Sequence, residues 1–185
     1  DFTINIAQPI IQTIAAKTFA NPLPWYGANP GTGYSVAIEN GNQNIGYIDN
    51  GEFVDYLVDV PNPGPYQFRL AGAKGPAGVT TINLEEESTS GFQQIGSVGV
   101  VNNGGGWQDY ADYTDTVFFA NAGLQTIRLF FLGPVNVLNF QFTVSTLPYF
   151  TAELADQSNF EGDAPVGLSV AATDPDGGSV TYSDG

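Results

Sequence analysis

Apolar and polar residues alternate in several segments of the first three quarters of the chain. Tyr66, Phe68 and Leu70 alternate with the polar Gln67 and Arg69. The same period of two recurs in three further segments, residues 56–60, 127–131 and 138–144. This spacing is typical of strands with one face in a core and the other in solvent.

Turn-forming residues separate these segments. Residues 61–65 read Pro-Asn-Pro-Gly-Pro, and residues 121–123 read Asn-Ala-Gly. No long stretch has a period near 3.6, and the nearest helix candidate, residues 10–20, is weakened by its β-branched side chains. With 23 glycines and only 12% charged residues, the chain is predicted to be all-β, a β-sandwich of the jelly-roll or immunoglobulin kind.

The distribution of charge predicts two pieces. Residues 1–147 contain all four basic residues and 12 acidic ones, whereas residues 148–185 contain 7 acidic residues and no basic one. The border follows an apolar strand and falls at a proline, as domain edges often do. We therefore expect a sandwich over residues 1–147 and a linker with a partial domain over 148–185.

The second piece resembles the start of an immunoglobulin-like or cadherin-like repeat. Its 38 residues are too few for an independent core. Asp174 and Asp176 flank a proline before a glycine. This pair is a candidate for holding structural calcium, although a plain Asx turn explains the same residues more often.

Composition excludes several classes of function. The chain has no cysteine and no histidine, so a disulfide framework and the commonest general base are absent. The net charge of −15 argues against nucleic acid and anionic membranes as partners, and no apolar run reaches the roughly 18 residues of a membrane span. An acidic, thiol-free surface suits a secreted, extracellular or cell-surface protein.

Candidate chemistry lies in segments 41–53, 104–110 and 135–140, which combine aromatic residues with Asn, Gln and Gly. An aromatic ring stacks on the apolar face of a pyranose, and amides both donate to and accept from its hydroxyls. Taken singly, Trp107 is more often a core residue and Tyr47 a core or corner residue.

Together, these segments resemble the family 6 carbohydrate-binding modules of secreted polysaccharide-degrading enzymes. Residues 42–53, read against the family's Gln-Asn-Val-Gly-Tyr-Ile-Asp-Asn-Gly-Asp-Trp-like stretch, carry most of the likeness. The matching segments further along are Val60-Pro61, 64–68, 105–108, 127–129 and 138–140, so the resemblance covers about residues 40–144.

The resemblance implies a jelly-roll in which Tyr47 and Trp107 clamp a sugar. An asparagine of the last motif contacts hydroxyls; here that segment is one residue longer, so both Asn136 and Asn139 are candidates. Glu39 is the nearest match to the glutamate that helps to select the sugar. The family's structural calcium is in doubt, because no acidic residue occurs from residue 2 to 38. Trp25 lies in an extra aromatic loop, which covers one end of the core or extends the cleft.

We therefore expect a non-catalytic, monomeric module that directs a linked catalytic domain to a neutral polysaccharide, such as a β-glucan, a xylan or an agarose-like polymer. A glycosidase would need two carboxylates across a cleft. Glu52 with Asp55 is a nominal pair, and the run 85–87 is expected to be a solvated turn. The alternative function is adhesion, as a structural module of a multidomain cell-surface protein.

Overall fold

The computed structural model describes residues 10–19, 36–39, 41, 43–145, 149–150 and 172–173. The chain forms two compact units, residues 1–144 and 145–185. The described residues are strands, turns and loops, with no helix among them. A helix long and apolar enough to cross a membrane is accordingly not found in these ranges.

Among its described residues, the first unit contains ten strands in two antiparallel sheets. The strands are β1 (Ile10–Ala15), β2 (Ala37–Glu39), β3 (Asn44–Gly46), β4 (Phe53–Val60), β5 (Gly64–Ala73), β6 (Val79–Ser88), β7 (Gly91–Val101), β8 (Ala111–Phe119), β9 (Gly123–Phe131) and β10 (Asn136–Val144). One sheet has the order β2-β3-β10-β5-β8, with β1 also paired to β10, and the other has the order β4-β9-β6-β7.

The core lies between these sheets. Tyr56 of β4 and Phe140 of β10 meet edge to face across it, with ring centroids 4.7 Å apart. The buried Tyr56 hydroxyl donates to the carbonyl of Ala16 at 2.7 Å, so the ring is buried without leaving its polar atom unpaired. The inward-facing residues of the alternating segments form this core, which confirms the prediction of an all-β sandwich.

The nearest helix candidate agrees with the all-β prediction, whereas one local prediction needs correction. Residues 10–15 form strand β1, whose β-branched side chains favour a strand over a helix. The acidic run 85–87, expected to be a solvated turn, lies inside β6. Glu85 is paired in register with Arg128 of β9, so cross-strand pairing accommodates the charge, and the turn comes at residues 89–90.

The second unit contains two short strands, β11 (Tyr149–Phe150) and β12 (Ala172–Thr173), paired antiparallel. The other residues of the predicted immunoglobulin-like or cadherin-like repeat lie outside the described ranges, so that interpretation stays a prediction. Asp174 and Asp176, the candidate calcium ligands, lie outside them as well, as does Trp25.

Candidate functional site

A cleft of about 550 Å³ opens where strands β2, β3, β7 and β9 end. It is lined by Glu39, Tyr47, Ile48, Asp49, Trp107, Gln108, Pro134 and Asn136. These residues come from the end of β2, the connections β3–β4, β7–β8 and β9–β10, and the first residue of β10. The antiparallel topology therefore gathers at one cleft residues that are almost a hundred positions apart in the chain.

Tyr47 projects from the connection between β3 and β4, and its side chain is 63% exposed. Its φ angle is +56°, a left-handed conformation that non-glycine residues seldom adopt. The loop is tied by the buried Glu52, whose Oε2 accepts from the Asp49 amide at 2.7 Å, and by the Gly51 amide, which donates to the Phe131 carbonyl at 2.8 Å. Tyr47 thus presents an exposed ring on a backbone that the loop holds in a left-handed conformation.

Trp107 lies in the connection between β7 and β8 and is 41% exposed. Its indole rests against Gly75, where an added Cβ would lie 2.4 Å from the ring. The carbonyl of Gly75 accepts a hydrogen bond from the Asn102 side chain, which ties this glycine to the loop that carries the tryptophan. Trp107 is therefore supported on a backbone surface while part of the ring remains open to the cleft.

Glu39 forms part of the polar wall of the cleft and accepts hydrogen bonds from three side-chain amides. Its Oε1 accepts hydrogen bonds from Asn44 at 2.9 Å, from Gln108 at 3.1 Å and from Asn136. Room for the carboxylate comes from Gly46, at which an added Cβ would lie 2.5 Å from Glu39 Oε1. The structure thus brings Glu39, Tyr47, Trp107 and Asn136 together at one cleft.

Asn136 and Asn139, the two candidates of the last motif, occupy different places. Asn136 is buried on the cleft wall, and its amide also donates to the Trp107 carbonyl at 2.8 Å. A shift in the pairing of β10 with β5 between Val137 and Asn139 accommodates the extra residue of this segment. Asn139 lies beyond that bulge, opposite Ala71, and is not among the cleft-lining residues, so its contact with a ligand stays a prediction.

The cleft is acidic. Glu39 and Asp49 line it, whereas none of the four basic residues does. Arg69 pairs with Asp112 and Arg128 with Asp55, both away from the cleft. The cleft is therefore lined by aromatic rings, amides and carboxylates.

Lys74 is buried behind the cleft wall. Its Nζ donates to Thr80 Oγ1 at 2.8 Å and to the Pro134 carbonyl at 3.4 Å. Burial lowers the pKa of the ammonium group, and these bonds hold Pro134 in place at the cleft. This cation therefore supports the wall from behind.

The sequence did not single out Gln108, Asp49, Ile48, Pro134 or Gly75 for the site. Gln108 and Asp49 lie inside the segments that contain Trp107 and Tyr47. Their closeness in sequence to these two aromatic residues could have identified them as site residues. Pro134 and Gly75 carry no chemistry of their own, so only the packing around them shows their role.

The structural calcium stays a prediction, because its candidate ligands Asp174 and Asp176 lie outside the described residues. Within those ranges, no group of three or more His, Cys, Asp or Glu side chains is arranged to hold a metal ion. Glu52 and Asp55, the nominal catalytic pair, are both buried: Glu52 ties the Tyr47 loop, and Asp55 is held by Arg128.

The chain is similar to several solved structures. A family 6 module from Clostridium stercorarium in complex with cellobiose is 28% identical, with a TM-score of 0.56, over 73% of this chain and 95% of that one. A β-1,3-glucan-binding family 6 module from Bacillus halodurans is 25% identical, with a TM-score of 0.55, over 72% of this chain and 96% of that one. A family 6 module from Clostridium cellulolyticum in complex with xylose is 25% identical, with a TM-score of 0.55, over 71% of this chain and 95% of that one.

These likenesses confirm the jelly-roll form of the sandwich. No curated protein matches the chain. The sequence pattern described as carbohydrate binding module (family 6) matches residues 28–144, which include every residue that lines the cleft. The chain therefore belongs to family 6 of the carbohydrate-binding modules.

Proposed function

We propose that this module binds a neutral polysaccharide, a β-glucan, a xylan or an agarose-like polymer, by stacking one sugar between Tyr47 and Trp107. The observation that carries the proposal is that two exposed aromatic side chains, from different connections, line the same cleft. A pyranose presents C–H groups on its faces and hydroxyls on its rim. Rings that meet the faces, and a polar wall that meets the rim, satisfy both.

The charge of the cleft supports a neutral ligand. Glu39 and Asp49 would repel the carboxylates of uronic polymers or the sulfates of sulfated ones, and the net charge of −15 adds to this repulsion. Cellobiose, xylose and β-1,3-glucan, the ligands of the similar modules, are all neutral. This class of ligand is accordingly proposed for the present cleft.

The proposed biological role follows from the low affinity of a single sugar-binding site. Water competes for every hydroxyl, so the affinity for a single sugar is modest. Linkage to a secreted polysaccharide-degrading enzyme raises the local concentration of that enzyme on its polymer, and the tethering makes repeated weak contacts productive. We propose this targeting role for an extracellular parent protein and assign no catalytic step to the module.

Affinity electrophoresis tests the proposal. The wild-type chain is run through gels that contain laminarin, lichenan, xylan, agarose or alginate. We expect retardation by at least one neutral polymer and none by alginate. Trp107→Ala and Tyr47→Ala should abolish retardation, whereas Phe118→Ala, which removes a half-exposed ring of β8 outside the cleft, should retain it.

Thermal unfolding of each variant completes the test. The proposal requires that Trp107→Ala keeps a cooperative transition, because the indole is a partly exposed residue of a loop. Unfolding of this variant would instead assign Trp107 to the core. No retardation of the wild type by any polymer would favour the alternative function, adhesion to a protein partner.

A further inference from the structure

A directed chain of hydrogen bonds runs behind the cleft from Tyr110 to Glu39. The Tyr110 hydroxyl donates to Gln108 Oε1 at 2.9 Å, and Gln108 Nε2 donates to Glu39 Oε1 at 3.1 Å. Tyr110 precedes β8 and is half-buried, and it is not among the residues that line the cleft. Its hydroxyl therefore acts on the cleft through hydrogen bonds with Gln108 and Asn136, which both line it.

The chemistry of the groups fixes the direction of this chain. An ionised carboxylate only accepts hydrogen bonds, so the atom of Gln108 that faces Glu39 must be the nitrogen. The oxygen of the same amide then faces Tyr110, whose hydroxyl must donate. Asn44 and Asn136 also turn their nitrogens toward Glu39, so three amides share one orientation.

The state of Tyr110 preserves this direction over a wide range of pH. Burial and, next, the negative charge of Glu39 raise the pKa of Tyr110 to about 12, while a hydrogen bond with Asn136 acts in the opposite sense. The hydroxyl therefore keeps its proton, and remains a donor, under any ordinary condition of binding.

Donors of two cleft residues are consequently engaged by acceptors of the protein itself. The nitrogens of Gln108 and Asn136 are engaged on Glu39, and Asn136 also donates to the Trp107 carbonyl at 2.8 Å. The same wall carries oxygens, among them the carboxylate oxygens of Glu39 and Asp49. Sugar hydroxyls can donate to such a wall, whereas the carboxylates and sulfates of anionic sugars cannot.

From this geometry we infer that Tyr110 is a positioning residue, which orients Gln108 and thereby the Glu39 carboxylate as an acceptor for the hydroxyls of a neutral sugar. The inference rests on the proposed function, because it specifies how that site recognises its ligand. It goes beyond it by giving a role to a residue that does not line the cleft.

The first test needs no ligand. Tyr110→Phe removes the hydroxyl and keeps the ring, and Tyr113→Phe is the matched control, since it removes a hydroxyl that donates to the Val101 carbonyl at the same 2.9 Å. By NMR, hydrogen exchange of the Gln108 side-chain amide should become faster by about threefold or more in Tyr110→Phe and stay at the wild-type rate in Tyr113→Phe. An unchanged rate in Tyr110→Phe would overturn the inference.

The second test measures binding to whichever of laminarin, lichenan or xylan retards the wild type most. Tyr110→Phe should weaken binding by about three- to tenfold at unchanged thermal stability, whereas Tyr113→Phe should bind as the wild type does. Because Tyr110 acts through Glu39, Tyr110→Phe combined with Glu39→Gln should bind no more weakly than Glu39→Gln alone.

If the double variant instead loses affinity by the product of the two single-variant factors, Tyr110 does not act through Glu39 and the inference fails. If none of the polymers retards the wild type, the proposed function fails. The NMR experiment then decides by itself whether Tyr110 orients Gln108, so the two failures are distinguishable.

Discussion

The indole of Trp107 and the backbone of Gly75 are in direct contact, and no side chain larger than hydrogen fits between them. A Cβ at residue 75 would lie 2.4 Å from the indole Cε2 and Nε1 atoms. The position of one wall of the cleft therefore depends on a glycine in another connection, the one between β5 and β6.

Gly75→Ala should accordingly displace the indole and weaken polysaccharide binding by about tenfold or more, since relief of such a clash costs on the order of 1–3 kcal/mol. Affinity electrophoresis measures the change. Gly99→Ala is the control: it adds the same methyl group on β7, where the side chain of Val79 at 3.1 Å is the neighbour within 4 Å. Equal retardation of Gly75→Ala and wild type would show that the indole position does not govern binding.

Tyr47 combines an exposed ring with a left-handed backbone, so stability and binding should separate at this residue. Tyr47→Asn and Tyr47→Ala both remove the ring and should both abolish binding. Asparagine tolerates a φ of +56° better than alanine does, so Tyr47→Asn should be the more stable variant by about 1 kcal/mol. Urea unfolding measures the difference, and a less stable Tyr47→Asn would contradict the argument.

Arg128 should be a major source of stability on the four-stranded sheet. Its guanidinium holds Asp55 through two hydrogen bonds of 2.7 and 3.0 Å, and its Cζ lies 3.6 Å from the ring centroids of both Phe53 and Phe92. Arg128→Leu leaves the buried Asp55 without this cation and should lower the free energy of unfolding by about 3 kcal/mol.

The second arginine–aspartate pair supplies the control for this prediction. Arg69 Nη2 and Asp112 Oδ2 are 2.6 Å apart, but the two side chains are 33% and 49% exposed. Arg69→Leu should therefore cost less than about 1 kcal/mol in urea unfolding. Similar losses for the two leucine variants would show that burial does not decide the strength of these pairs. Neither arginine lines the cleft, so both variants should still bind polysaccharide.

Glu86 should make stability depend on pH. Its Oε1 is buried with no hydrogen-bond partner among the described residues, and burial raises the pKa of its carboxyl above the usual 4.5. The folded state thus holds this proton more tightly than the unfolded state does. Its contribution to stability is complete below pH 4.5 and is lost as pH rises through the raised pKa of the folded state.

Glu86→Gln removes the loss of stability at high pH, because a neutral amide is less costly to bury than a carboxylate. The variant should be more stable than wild type at pH 7 and similar to it at about pH 4 in urea unfolding. Glu87→Gln, on the exposed end of the same strand, should follow the wild type at both values of pH. A gain for Glu86→Gln that is equal at both values of pH would exclude the carboxyl group as its cause.

The acidic run 85–87 illustrates where prediction from sequence failed. Consecutive glutamates before a Ser-Thr-Ser-Gly stretch resemble a solvated turn, because neighbours in sequence offer them no cation. The cation opposite Glu85 is Arg128, more than forty residues further along the chain, and the two residues meet only after β6 and β9 have paired. A second pairing, of β4 with β9, places Asp55 opposite Arg128 on the other side of β9.

The last motif shows a similar limit. The sequence indicated that its two asparagines were one residue too far apart, but it did not show which of them reaches the cleft. The bulge in β10 decides this, because an extra residue in one strand changes the face on which the following side chains lie.

The sequence by itself determined the architecture and the family of this protein. Alternation of apolar residues specifies which face of each strand is buried, and this pattern is local, so it can be read before any contact is known. Tyr47 and Trp107 were singled out because their segments carry the motifs of the family, and Glu39 because it is the nearest glutamate upstream of Tyr47.

The tertiary structure decided how those residues are held. The support of Trp107 by Gly75, the three amides on Glu39 and the connection to Tyr110 all join residues that are distant in sequence. A glycine, a glutamine or a tyrosine has many roles, and composition does not distinguish among them. Only the register of the strands and the packing of the loops select one, because hydrogen bonds and close contacts form over a few ångströms of space, whatever the separation along the chain.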